Sequence, residues 1–217
     1  MKHKGFTLIE FVVIISIFAI MASVVLFNFA GFRSNVGLNN LAHDIALTIR
    51  QAQVFGWSTT TAAVDANGDP LRYAQGVYFP YSNGEYSKEF VLYTKTDPNP
   101  SNASYIQGLD TIADVIKIQG PNHISDIRTG STAAELALDP ISKAPAGGIS
   151  VGTDVSIAFS RPRPESLFYL GINPLIDPAT NYMGIYIVAD STCESGSPCT
   201  VADHVITVSR FGEITVQ

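Results

Sequence analysis

Cysteine is nearly missing from this chain: Cys193 and Cys199 are the only two in 217 residues. That excludes a disulfide-dense scaffold, and it leaves any tetrahedral zinc site half built, since no His-x-x-His or second cysteine pair completes it. Between the two cysteines lies Glu-Ser-Gly-Ser-Pro, a run of turn formers that can bring the sulfurs together. A Cys193–Cys199 disulfide, and with it an oxidising compartment, is the expectation. Charge is also scarce, at 15% of residues against roughly a quarter in soluble domains, and mean hydropathy is positive. Much of the deficit falls in one place, because residues 11–32 carry no charge at all. What charge exists is acidic, with a formal net of −6. Such a surface repels phosphate backbones on average and argues against nucleic acid as a partner.

The uncharged run is interrupted only by Ser16, Ser23 and Asn28. As a helix rising ~1.5 Å per residue it spans ~33 Å, enough for a hydrocarbon core of ~30 Å. Lys2 and Lys4 precede it, so the positive-inside rule keeps the N-terminus cytoplasmic. A cleaved secretory signal would have a shorter apolar stretch and a small-x-small site after it, and Asn28-Phe29-Ala30 matches that site poorly. A plain signal anchor is the other reading, and neither accounts for Glu10. A carboxylate at the edge of an apolar helix costs about 2–3 kcal/mol unless it finds a partner. Arg33 is too far along the helix to serve, which points to a partner on another molecule.

Lys4-Gly-Phe-Thr-Leu-Ile-Glu10 followed by about twenty apolar residues resembles the class III signal of type IV pilins and type II secretion pseudopilins. The resemblance implies cleavage on the cytoplasmic side between Gly5 and Phe6 by a prepilin peptidase, which then N-methylates Phe6. It also implies that Glu10 pairs with the Phe6 amine of a neighbouring subunit during assembly. In an apolar filament core that pairing neutralises two charges and sets the axial register. The partners implied are other pilin or pseudopilin subunits, the prepilin peptidase/methyltransferase and the inner-membrane assembly platform. Removing the leader makes the chain two charges more negative, since Lys2 and Lys4 leave with it.

Leu38, Leu41, Ile45, Ile49 and Ala52 recur at spacings of three and four, the stripe of an amphipathic helix laid on a folded domain. Gly56 is the expected stop. Beyond it the period changes: residues 59–64, 76–79, 89–93, 115–118, 155–159, 184–188, 205–208 and 213–216 read as strands, with a hairpin turn at Phe211-Gly212. The expected organisation is a leader at 1–5, a transmembrane helix at 6–32, an amphipathic continuation at 33–56 and a β-rich globular domain at 57–217. The fold class expected is α+β, a long N-terminal helix packed on an antiparallel β-sheet domain. The helix at 41–53 running into a strand, the stretch 155–165 and the closing strand–turn–strand at 205–216 are similar to the GspH/FimT branch of the superfamily.

Chemistry is sparse. Gly148-Ile-Ser-Val-Gly152 matches G-x-S-x-G, but a proline–glycine loop precedes it and a strand follows, where a nucleophile elbow needs strand then helix. His3, His43, His123 and His204 fall in no triad or metal spacing. Asp65, Asn67 and Asp69 alternate like the start of a calcium loop, yet Gly68 and Pro70 are misplaced for one and a hairpin turn is the better reading. Arg161 and Arg163, separated by proline, form the one notable basic pair. The chain reads as a structural subunit rather than an enzyme, without a cofactor, single-pass in the inner membrane with its C-terminal domain outside the cytoplasm. A minor pilin that captures DNA or a surface is the alternative.

Overall fold

A computed structural model describes residues 7–58, 74–96, 103–160, 165–174, 180–189 and 202–217, without the side chains of residues 25–35 and 174. It divides into two compact units, Met1–Gly37 and Leu38–Gln217. Helix α1 (Leu8–Ser58) contributes to both. In the first unit its described side chains stand almost entirely exposed, from Leu8 through Val24.

The second unit is built on two antiparallel sheets. The first contains β1 (Gln75–Phe79), β4 (Glu89–Thr94), β5 (Thr111–Lys117), β8 (Val155–Phe159), β9 (Ser166–Leu170) and β10 (Asn173–Pro174), in the order β10-β9-β8-β1-β4-β5. The second contains β6 (Asn122–Gly130), β7 (Ile149–Ser150), β11 (Tyr182–Ala189), β12 (His204–Ser209) and β13 (Ile214–Val216), in the order β13-β12-β11-β6-β7. A hairpin of β2 (Tyr81–Ser82) and β3 (Glu85–Tyr86) stands apart. A short helix, α2 (Ala133–Leu136), is capped by Thr132, whose side chain accepts the Glu135 N–H.

One core joins these elements. Leu38, Leu41, Ala42, Ile45, Ile49 and Ala52 of α1 share it with Val77, Phe79, Phe90, Leu92, Ile157 and Phe159 of the first sheet, and with Ile124, Ile127, Met183, Ile185, Ile187, Ile206 and Val208 of the second. Each fully buried aliphatic of this size contributes about 1.5–3 kcal/mol.

The expected single sheet beneath one long helix is therefore corrected. The strands divide into two sheets and a hairpin, a second helix is present, and only residues 38–52 of α1 enter the core while its first thirty residues belong to a separate unit. The reason is connectivity. Strands adjacent in sequence often sit in different sheets, β5 and β6 for example, and no local pattern reports that choice.

Gly56 is also corrected. It lies inside the helix, which runs on to Ser58. A Cβ there would stand 2.6 Å from the Phe159 carbonyl oxygen, so glycine permits the close approach of helix to β8 and does not end the helix. The end of α1 is also tied to the β12–β13 turn, where Gln53 Nε2 donates to the Gly212 oxygen at 3.1 Å from a buried position.

Candidate processing and assembly segment

Thr7, Leu8, Ile9 and Glu10 form the S/T-x-x-E pattern of a helix start. The Glu10 backbone N–H donates to Thr7 Oγ1 at 3.4 Å, and the Phe11 N–H donates to the Thr7 carbonyl at 3.2 Å. Thr7 is thus the N-cap of α1: its hydroxyl occupies one of the amide donors that an isolated helix end leaves open, and its carbonyl accepts the first intrahelical bond. Glu10 is the acid of the first turn, where the helix dipole favours negative charge. Its side chain is exposed and makes no hydrogen bond or ion pair among the described residues.

Around Glu10 the surface is apolar. Leu8, Ile9, Phe11, Phe18, Ile20 and Met21 are all exposed, Phe18 to 73%. Water does not tolerate so long an exposed apolar run, so the segment calls for lipid or other protein chains around it. The two hydroxyls within it are satisfied internally: Ser16 Oγ donates to the Val12 carbonyl at 2.8 Å and Ser23 Oγ to the Ile20 carbonyl at 2.7 Å. Neither then presents an unmet polar group to an apolar medium. Among the described residues, however, no helix is long and apolar enough to cross a membrane. The apolar stretch with described side chains ends at Val24, short of the about 18 residues a span takes.

The other residues singled out by sequence divide in two. Gly5 and Phe6, the cysteines Cys193 and Cys199, the acidic trio Asp65, Asn67 and Asp69, and the pair Arg161 and Arg163 lie outside the described residues. Ser150, at the centre of the G-x-S-x-G match, is described. It sits on the two-residue edge strand β7, and its hydroxyl donates to Asp126 Oδ1 at 2.6 Å. Arg128 Nε holds the other oxygen of Asp126 at 2.8 Å, and its Nη1 donates to the Gly147 carbonyl at 3.1 Å. This arrangement fastens β7 to β6 and carries no histidine. His204 Nδ1 lies instead 3.2 Å from the carbonyl of Gln217, and His43 is exposed on α1. Among the described residues no group of three His, Cys, Asp or Glu could hold a metal ion.

Sequence reasoning missed two polar constructions. The Thr7 cap was visible in the T-x-x-E spacing. The ion pair of Lys95 and Asp110 was not: their side chains are 2% and 0% exposed and meet at 3.1 Å. Lys95 Nζ also donates to the Ser104 carbonyl at 2.8 Å. Asp110 accepts the backbone N–H groups of Thr96 at 3.2 Å and Ile106 at 2.7 Å. With two ammonium protons and both carboxylate oxygens engaged, the pair pins the segment after β4 to the sheet. Close by, Tyr93 donates its hydroxyl to the Ala103 carbonyl at 2.6 Å, and the Ala103 N–H donates to the Tyr169 hydroxyl at 3.0 Å. Burial pushes the Tyr93 hydroxyl far above its ordinary pKa.

Residues 1–26 match the family model described as the prokaryotic N-terminal methylation motif. The match supports the type IV pilin and pseudopilin superfamily, and its motif marks a structural, pilin-type protein and a prepilin peptidase substrate that assembles with other pilin subunits. No curated protein and no solved structure matched the chain.

Proposed function

We propose that this chain is a filament subunit, a minor pseudopilin or pilin-like protein of the GspH/FimT kind, serving a type II secretion pseudopilus or a type IV pilus. Prepilin peptidase cuts between Gly5 and Phe6, and Phe6 receives the N-methyl group. Residues 6–32 anchor the subunit in the inner membrane with the N-terminus cytoplasmic, the helix continues from residue 33 to Ser58, and its second half and the β-rich remainder form the extracytoplasmic domain. Cys193 and Cys199 form a disulfide in that oxidising space.

The observation that supports this reading is Glu10. A carboxylate in the first turn of a helix, surrounded by exposed apolar side chains and without a counter-charge among the described residues, is costly for a lone subunit. The cost is offset when the Phe6 amine of a neighbouring subunit meets it, and that meeting also fixes the register. The test is Glu10→Ala expressed beside wild-type partner subunits, with membrane and sheared-filament fractions compared. Membrane insertion should be kept and the folded domain should melt as before, while recovery in filaments falls sharply. Normal recovery of Glu10→Ala in filaments would remove Glu10 from the assembly contact.

A further inference from the structure

The β2–β3 hairpin turns on Asn83 and Gly84, whose φ angles are 56° and 90°, the left-handed pair of a two-residue type I′ turn. Both residues are exposed, and nothing lies within 4 Å of a Cβ built on Gly84. The base of the hairpin is held firmly. Tyr81 pairs with Tyr86 across the strands, and their rings meet edge to face at 4.9 Å. The Tyr86 hydroxyl donates to the Thr153 carbonyl at 3.2 Å, and the Tyr81 N–H donates to Asp154 Oδ1 at 2.6 Å. A reactive dipeptide therefore sits in solvent at the tip of a clamped loop.

Glycine offers no Cβ to hinder its own amide nitrogen from reaching the preceding side chain. We propose that Asn83 is a site of spontaneous deamidation, gated by opening of the β2–β3 hairpin. The Gly84 nitrogen attacks Cγ of Asn83. The N–Cγ bond forms as the Cγ–Nδ2 bond breaks, and the amide proton leaves with Nδ2 as ammonia. Water then opens the resulting succinimide at one carbonyl or the other, giving aspartate or isoaspartate with no change of oxidation state.

Ring closure needs a backbone torsion at Asn83 far from the left-handed value of a type I′ turn, so the hairpin must open first. The Tyr81–Tyr86 contact sets how often it does. The isoaspartyl product carries an extra main-chain methylene, so the Ser82–Glu85 pairing cannot re-form in its register, and each conversion adds one negative charge to an already acidic protein.

The experiment incubates the full chain in detergent at mildly alkaline pH and maps its peptides over time for acid and isoaspartyl forms. A peptide covering residues 81–86, excised beforehand, is incubated in parallel. Asn122, Asn173 and Asn181, followed by His123, Pro174 and Tyr182, serve as internal references, and Asn67-Gly68 is scored separately. Asn83 should convert in both samples, several-fold more slowly in the folded chain, with the three references unchanged. Tyr81→Ala should bring the folded rate towards that of the peptide. Absence of conversion in the folded chain while the peptide reacts fully overturns the site. Equal rates in chain and peptide, or no acceleration in Tyr81→Ala, overturn the gating.

Discussion

The hydroxyl of Thr7 accepts the backbone N–H of Glu10 at 3.4 Å, closing the first turn of α1 while the exposed Glu10 carboxylate makes no hydrogen bond or ion pair of its own among the described residues. The two residues thus divide the work of the helix start: Thr7 serves the backbone, and Glu10 keeps its charge for something outside the subunit. In the mature chain proposed here only Phe6 precedes Thr7, so little else could cap this end. Thr7→Ala should fray the first turn at a cost of about 0.5–2 kcal/mol, and Thr7→Ser should retain the cap. Amide exchange of the micelle-bound protein reports it: the Glu10 amide should exchange faster in Thr7→Ala only. Equal protection in all three proteins would remove Thr7 as the cap.

The buried pair of Lys95 and Asp110 makes a sharper stability prediction. Lys95→Met leaves the enclosed Asp110 carboxyl without its cation, with only two backbone N–H groups as partners. Losing one member of such a pair costs about 3–5 kcal/mol, whereas losing both costs much less than twice that. Chemical denaturation of Lys95→Met, Asp110→Asn and the double variant should show this non-additivity. Additive losses would mean that the two side chains do not act as a unit.

Alkaline pH should destabilise the folded domain. Burial is the main cause that pushes the Tyr186 hydroxyl up to about 12, with Asp126 adding to the shift and Arg128 opposing it. Burial likewise raises Tyr78, Tyr86 and Tyr93. An unfolded tyrosine ionises near 10. The folded state therefore holds protons that the unfolded state has released, and stability falls as pH rises from about 10 through the folded values. Below about 10 this contribution is fully present. Thermal midpoints should be flat from neutral pH to about 9.5 and drop beyond it, less steeply in Tyr186→Phe. That variant should also lose about 1 kcal/mol at neutral pH, because the Tyr186 hydroxyl donates to the Leu136 carbonyl at 2.6 Å.

What the sequence disclosed follows from what is local. The helical stripe from Leu38 to Ala52 was legible because each member touches the same core. Strands β1, β4, β8, β11 and β12 were legible because β-branched and aromatic residues cluster in them. Strand β6 was not, for an identifiable reason. Ile124 and Ile127 stand three apart, which in a regular strand would place them on opposite faces. Its pairing with β11 shifts register between Tyr186 and Ile187, leaving Ser125 unmatched, and that bulge returns both isoleucines to the core. Strand β5 was read too short for a similar cause, since its pairing with β4 skips Ala113. The packing role of Gly56 was not legible, because a glycine at a helix end and a glycine at a close contact look alike until Phe159 is in place. Of the candidate site, the Lys4–Glu10 motif was legible because its chemistry is read along the chain. The Lys95–Asp110 pair depends on two distant segments meeting and left no signal.

The central claim, that this is a processed filament subunit, is tested most directly by the mass of its N-terminal peptide. Protein isolated from membranes of cells with an active prepilin peptidase should begin at Phe6, carry one methyl group on the Phe6 amine and lack residues 1–5. A chain that retains Met1 under those conditions, or that begins beyond the apolar segment near residue 31, would contradict the account.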